Sequence, residues 1–336
     1  MSIQHWGENI EQFYQLTPDV VFENLEQMGF RPTGKLSQLN SLENRVYDVE
    51  LSKPLFDQVP YASHHLVLKY YRPGRWNIKT LKEEHAFYQE LSDYEVPVIA
   101  PFKFEDETLF FDKKRNLFWC AFPKVMGRIK DEFSADETKQ LGRLIGRVHN
   151  IGKLNDFHSR PIYEAKTYLD HALMHLKTST HFPQDLKPHY ESLLSLLIPC
   201  LLEQLTNLPK QRLHGDFHRG NILWTSDGPW ITDLDDSLMG PVEQDLWLLF
   251  PGNDPYLQER REEFIKAYEE MTRSLVHLSF KKIEALRSMR LINFTLWIDL
   301  RYDDPFFKKM FPHFAERRYF EQHLNDIREC IALMRE

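Results

Sequence analysis

The sequence predicts an α+β fold in two lobes, a strand-rich N-terminal lobe over residues 1–122 built on an antiparallel sheet and a mainly helical C-terminal lobe over 123–336. Three observations lead there. At 336 residues the chain exceeds one small core. Apolar and polar residues alternate in Arg45-Val46-Tyr47-Asp48-Val49 and in the apolar run His65-Leu66-Val67-Leu68-Lys69-Tyr70-Tyr71. From Asp136 onward the spacing becomes helical, with Leu141, Leu144, Ile145 and Val148 on one face.

Taken in order, Thr17-Pro18 opens a short helix that Gly29 stops. A strand region from Leu36 to Leu51 contains the polar turn Asn40-Ser41-Leu42-Glu43-Asn44. Residues 52–63, with Pro54, Asp57, Pro60 and Ser63, read as a surface loop. The third strand places Lys69 on one face with Val67 and Tyr71, and a helix follows with Asn77 as its N-cap, turning Glu83 and Glu84 toward its apolar side. Val96-Pro97-Val98 and Leu109 to Phe122 are expected to supply the remaining strands, and the chain then leaves through Phe122-Pro123-Lys124-Val125-Met126-Gly127. Helices are expected over Asp136–Ile151, Leu186–Leu205 and Glu259–Met271, and from Lys281 to the end around the aromatics Trp297, Tyr302, Phe306, Phe307, Phe311 and Phe314. His149 reads as a packed or capping residue.

Composition narrows the function. Apolar content of 42% with 13% aromatics excludes global disorder, and a net charge of −8 argues against a general nucleic-acid binder. Met1–Glu11 lacks a basic start and apolar core, and the most apolar run, Leu193–Leu202, is short and contains Pro199, so a soluble, cytoplasmic protein without membrane partner is expected. Cys120, Cys200 and Cys330 have no pairing or metal spacing and read as reduced thiols.

The chemistry concentrates in Leu213-His214-Gly215-Asp216-Phe217-His218-Arg219-Gly220-Asn221-Ile222-Leu223-Trp224 and in Asp233, twelve residues past Asn221. Ser226-Asp227-Gly228 between two apolar runs signals a β-hairpin. If it closes symmetrically about Asp227, Asn221 and Asp233 are cross-strand partners with Cα atoms roughly 5 Å apart. An amide oxygen and a carboxylate suit Mg²⁺, which keeps other positions for water and phosphate oxygens. Asp216, five residues before Asn221, reaches the same pocket free of metal, as a base for an incoming hydroxyl. His214 and His218 are separated by a glycine and followed by Gly220, which argues against a helical metal pair.

An Asp, an Asn five residues on and a second Asp resemble the catalytic loop and metal site of the protein-kinase-like fold. His-Gly-Asp and Asp233-Leu234-Asp235-Asp236 resemble the spelling of the aminoglycoside phosphotransferase and choline kinase-like superfamily. Leu39-Asn40-Ser41, Glu43-Asn44-Arg45-Val46-Tyr47, Tyr71-Arg72-Pro73, Arg75-Trp76, Gly240-Pro241 and Gln244-Asp245-Leu246-Trp247 are similar to its bacterial stress response kinase A branch.

That resemblance implies a Ser/Thr protein kinase of stress response using ATP and Mg²⁺, with autophosphorylation as a further expectation. Asp216 is the implied base, and Asn221 and Asp233 the metal ligands. Lys69 orients the phosphates and pairs with Glu84 in preference to Glu83; an edge lysine reaching solvent is the alternative. Ser41 contacts ATP from a turn that lacks the usual glycines, and Asn44 is a second short donor there; an ordinary polar turn is the other reading. Backbone at Phe122, Lys124 and Val125 receives adenine. Asp245 supports the catalytic loop, and only eleven residues separate it from Asp233, too few for a eukaryotic-type activation segment. Either of Asp235 and Asp236 could help hold a second metal, but they read first as solvated loop carboxylates. Asp299, Asp303 and Asp304 beside Trp297 and Tyr302 suit a cationic acceptor or a peptide groove. A small-molecule hydroxyl kinase and a nucleotide-binding pseudoenzyme are the rivals, and a monomer is expected.

Overall fold

The computed structural model describes residues 11–56 and 60–336, so the N-terminal reading at residues 1–10 and part of the loop assigned to 52–63 lie outside the described residues. A short helix α1 (Glu11–Tyr14) precedes α2 (Pro18–Gln27), which starts with Pro18 in its first turn and turns Val20, Val21, Asn24 and Leu25 inward. Strands β1 (Pro32–Leu39), β2 (Arg45–Leu51), β3 (Tyr61–Tyr70), β4 (Phe110–Asp112) and β5 (Leu117–Val125) form one sheet in the order β1-β2-β3-β5-β4, every neighbour antiparallel. Between β3 and β4 lies α3 (Ile78–Asp93), whose first turn is capped by the Asn77 side chain.

Alternation in β3 divides the sheet. Leu66, Leu68 and Tyr70 join Val21 and Leu25 of α2 in one core, while Tyr71 joins Leu81, Phe87, Tyr88 and Leu91 of α3 in another. Lys69, opposite Val46 and Cys120, belongs to the α3 side.

Two expectations about this sheet are corrected. The loop assigned to 52–63 is shorter, because β3 already begins at Tyr61. Val96-Pro97-Val98 adds no strand to the sheet: Val98 forms a parallel bridge with Ile231, and Ile231 donates its amide to Pro97 O at 2.8 Å. Pro97 has no amide to give a ladder, so the segment serves as a tether between α3 and the hairpin that contains Ile231.

The rest is mainly helical. The helices are α4 (Ala135–Gly152), opened by a Ser134–Glu137 capping box, α5 (Ala165–Thr178) and α6 (Lys187–Leu205). Strands β6 (Gln211–Leu213), β7 (Ile222–Thr225), β8 (Gly228–Ile231) and β9 (Leu238–Gly240) follow, then α7 (Glu243–Leu246), α8 (Pro255–Thr272), α9 (Phe280–Asp299), α10 (Pro305–Met310) and α11 (Arg317–Arg335). Sequence reasoning missed α5, which has no side-chain cap to announce it. Helix α6 runs through Pro199. Among the described residues, no helix is long and apolar enough to cross a membrane.

Candidate active site

The loop between β6 and β7 carries Asp216 and is held from beneath. Asp245 of α7, fully buried, accepts the amides of His214 and Gly215 at 2.8 Å each, and takes His149 Nε2 at 3.0 Å. His149 Nδ1 lies 3.0 Å from the Tyr268 hydroxyl, so this histidine is a packed strut. Gly215 explains the His-Gly-Asp spelling: its φ is +88°, and a Cβ there would lie 2.0 Å from Asp236 O. The two histidines do not converge. His214 Nε2 meets Thr232 O at 3.0 Å, whereas His218 Nδ1 accepts the Gly220 amide at 2.9 Å and its Nε2 lies 3.2 Å from Asp216 Oδ2.

The hairpin forms with a register that differs from the symmetric expectation. Ile222 pairs with Ile231 and Thr225 with Gly228, so the turn is Ser226-Asp227, and Asn221 faces Thr232, whose amide it accepts at 3.1 Å. Asn221 and Asp233 are therefore not direct cross-strand partners. A one-residue offset sends a side chain to the opposite face. Asp233, at φ +61°, departs from strand geometry and does not follow that alternation.

Lys69 Nζ lies 3.0 Å from Asp233 Oδ1, 3.6 Å from Asp235 Oδ1 and 3.8 Å from Glu84 Oε1. Burial alone pushes an ammonium down, but Asp233, Asp235 and Glu84 outweigh it and hold Lys69 well above its ordinary value. Glu84 is fully buried, and that burial raises its carboxyl to about 7 despite Lys69 and Arg160. Glu83 turns away, accepting the amides of His158, Ser159 and Arg160 at 2.9 to 3.0 Å.

Asn221 donates Nδ2 to Asp216 O at 3.0 Å, which leaves its amide oxygen as a donor atom for a cation. Asp233 uses Oδ1 on Lys69; its Oδ2 has no hydrogen-bond partner among the described residues, and the side chain is 49% exposed. One carboxylate and one amide oxygen fit a hard divalent ion that keeps water and phosphate in its shell.

Asp216 accepts Arg290 Nη1 of α9 on Oδ1 at 2.7 Å. Burial works to raise its carboxyl, but the His218 hydrogen bond and the Arg290 guanidinium outweigh it and hold it well below the usual carboxylate range.

Of the two aspartates that follow Leu234, Asp235 is not a solvated loop carboxylate. Asp235 is buried, bonded to the Arg75 guanidinium, to Asn44 Nδ2 at 3.0 Å and to Trp76 Nε1 at 3.2 Å. Asp236 is half-exposed and bonded to the other arm of Arg75. Asn44 thereby commits its amide nitrogen to Asp235, and its oxygen takes the Arg72 amide at 3.0 Å, so its side chain organises the turn and is not left to meet phosphates. Ser41 Oγ accepts the Asn44 amide at 3.2 Å. Lys124 reaches back to Asp48 Oδ2 at 2.5 Å, Phe122 pairs with Val67 of β3, and Val125 pairs with Tyr61.

Arg160, Arg290 and the partners of Glu43 escaped sequence reasoning. Arg160 is buried, donating to Ser237 O at 2.5 Å and Thr80 O at 3.3 Å and lying 3.4 Å from Glu84 Oε2. No local pattern marks Arg160 or Arg290. For Glu43, the arginines of the Tyr71-Arg72-Pro73 and Arg75-Trp76 motifs were the available signal.

These features define a phosphotransferase fold. Amicoumacin kinase hAmiN in complex with AMP-PNP and Ca²⁺ superposes with a TM-score of 0.66 at 16% identity, covering 94% of this chain and 96% of that one. Choline kinase LicA from Streptococcus pneumoniae gives 0.60 at 14%, covering 93% and 98%.

Residues 35–282 match the phosphotransferase enzyme family, and the chain belongs to it, within the stress response kinase A group. It is 34% identical to stress response kinase A of Salmonella paratyphi A over 98% of this chain and 97% of that protein, and 36% identical to that of Escherichia coli K12 over 92% and 90%. A Salmonella typhimurium relative, serine/threonine protein kinase RdoA, is 34% identical over 98% and 97%.

Proposed function

We propose that this protein is an ATP- and Mg²⁺-dependent kinase that phosphorylates Ser or Thr hydroxyls of proteins, its own included. The observation that carries the acceptor class is the fate of the residues available for a cationic small molecule. Asp299 bonds to His175 and, at 2.8 Å, to His181; Asp304 caps α10; Trp297 donates to Glu43 at 2.8 Å. Arg72 already lies 5.6 Å from the Phe307 ring centroid. Asp299, Asp304 and Trp297 are thus each engaged by partners within the protein, which speaks against their serving as a cage for an ammonium. The names of the relatives support the same reading.

In this mechanism Lys69 binds the α- and β-phosphates, with Glu84 and Asp235 fixing its position. Asn221 and Asp233 would hold Mg²⁺, which would supply positive charge to the nucleotide's phosphate group there. Asp216 orients the hydroxyl and takes its proton as the oxygen bonds to the γ-phosphorus and the bond to the β-bridging oxygen breaks, releasing ADP. Backbone of 122–125 receives adenine.

Labelled ATP, Mg²⁺ and a generic protein acceptor, run in parallel with choline, ethanolamine, homoserine and aminoglycosides, test the acceptor class. Label on Ser or Thr, lost in Asp216→Asn, is expected. Efficient transfer to a small molecule without phospho-Ser or phospho-Thr would overturn the reading.

A further inference from the structure

We propose that Arg290 selects acceptors whose hydroxyl lies within two residues of an acidic side chain; the inference rests on the protein-acceptor reading above. Arg290 Nη1 sits 2.7 Å from Asp216 Oδ1 and His218 Nε2 3.2 Å from Asp216 Oδ2, so each oxygen of the base already accepts one cationic or ring donor. A hydroxyl that takes up either of these two positions displaces the group that holds it.

His218 is poorly placed to leave. Its Nδ1 accepts the Gly220 amide at 2.9 Å and caps the turn Arg219–Asn221, so moving it disturbs the loop that presents Asn221. Arg290 is the mobile partner. Its side chain is 43% exposed, and among the described residues Asp216 is the carboxylate it pairs with. The neighbouring cations are committed elsewhere: Lys282 to Glu243, Arg287 to Glu284 and Glu329, and Arg301, just past α9, to Glu43. Asp236 is held by Arg75.

A guanidinium displaced from a part-buried carboxylate loses its ion pair unless another anion replaces it. With the hydroxyl about 2.7 Å from Asp216, the displaced guanidinium stays within one side-chain length of the residues flanking that hydroxyl. An Asp or Glu there restores the pair. A Lys there adds repulsion and is selected against.

The test uses the full chain and one peptide sequence with a single Ser, flanked within two positions by Asp, Ala or Lys. For the wild type, kcat/KM with the Asp peptide is expected to exceed that with the Lys peptide by about tenfold or more, carried mainly by KM. Arg290→Ala is expected to flatten the series, Arg290→Glu to invert it and Arg290→Lys to retain part of it, with KM for ATP unchanged throughout. A wild type indifferent to the flank, or an Asp preference that survives Arg290→Ala, overturns the inference alone. Transfer to a small alcohol and to no peptide overturns the protein-acceptor reading and this inference with it.

Discussion

Trp297 Nε1 donates a hydrogen bond to Glu43 Oε2 at 2.8 Å, tying α9 to the turn between β1 and β2. Oε1 of the same carboxylate lies 2.8 Å from Arg301 and 3.0 Å from Arg72. Burial acts to raise the Glu43 carboxyl, but Arg75, Arg301 and Arg72 outweigh it and hold it below its ordinary value. The β1–β2 turn, which the proposed function places over the nucleotide, is thus positioned from the C-terminal helices.

Glu43→Gln leaves these guanidinium groups facing a neutral amide in a buried setting. Breaking a buried ion pair from one side costs about 3–5 kcal/mol. Denaturant unfolding should show a loss of that order together with a raised KM for ATP. An unfolding free energy within about 1 kcal/mol of wild type would show that the cluster carries no such coupling.

Asp233 and Asp216 should separate in binding and turnover. Asp233→Ala removes a carboxylate from the site proposed for Mg²⁺ and is expected to abolish Mg²⁺-dependent ATP binding by titration calorimetry. Asp216→Asn should leave that affinity nearly intact and lower turnover by roughly a hundredfold or more. Unchanged Mg-ATP affinity in Asp233→Ala removes it from the metal site, and wild-type turnover in Asp216→Asn removes it from the reaction.

Gly215→Ala combines a left-handed backbone with a Cβ placed 2.0 Å from Asp236 O. The backbone term alone costs about 1–3 kcal/mol. The clash adds to it and shifts the Asp216 loop against Asp236, so activity should fall further than the thermal midpoint suggests. A variant with wild-type midpoint and turnover would contradict the close approach.

Glu84 gives a pH signature. Its folded value is raised to about 7 from 4.5, so between these limits the folded state keeps a proton that the unfolded chain has lost. Its contribution to stability therefore falls as pH rises through that window. The difference in unfolding free energy between wild type and Glu84→Gln, measured at pH 4.5, 6 and 7.5, should shift steadily against the wild type as pH increases. A pH-independent difference would place the Glu84 carboxyl at its ordinary value.

The sequence by itself determined the elements whose causes are local. Asn77 caps α3, Pro18 sits in the first turn of α2, and the turn residues after Thr225 produce the hairpin, because capping and turn chemistry act within a few residues. The order Asp216, Asn221, Asp233 marked the reaction class, since a five-residue loop and a short hairpin constrain those side chains to one region. Tertiary structure decided the rest. The hairpin register differs by one residue from the symmetric expectation, a difference that spacing alone does not resolve. Asp235 looks like a loop acid in sequence and becomes a buried anchor only because Arg75, Asn44 and Trp76, some 160 to 190 positions away, converge on it. Arg290 meets Asp216 across 74 positions, and Glu43 meets Trp297 across 254. A buried or part-buried charge needs a partner, but sequence leaves open which one: any of many arginines satisfies the chemistry, and only packing of α9 against the Asp216 loop and the β1–β2 turn selects Arg290 for one acid and Arg301 with Trp297 for the other.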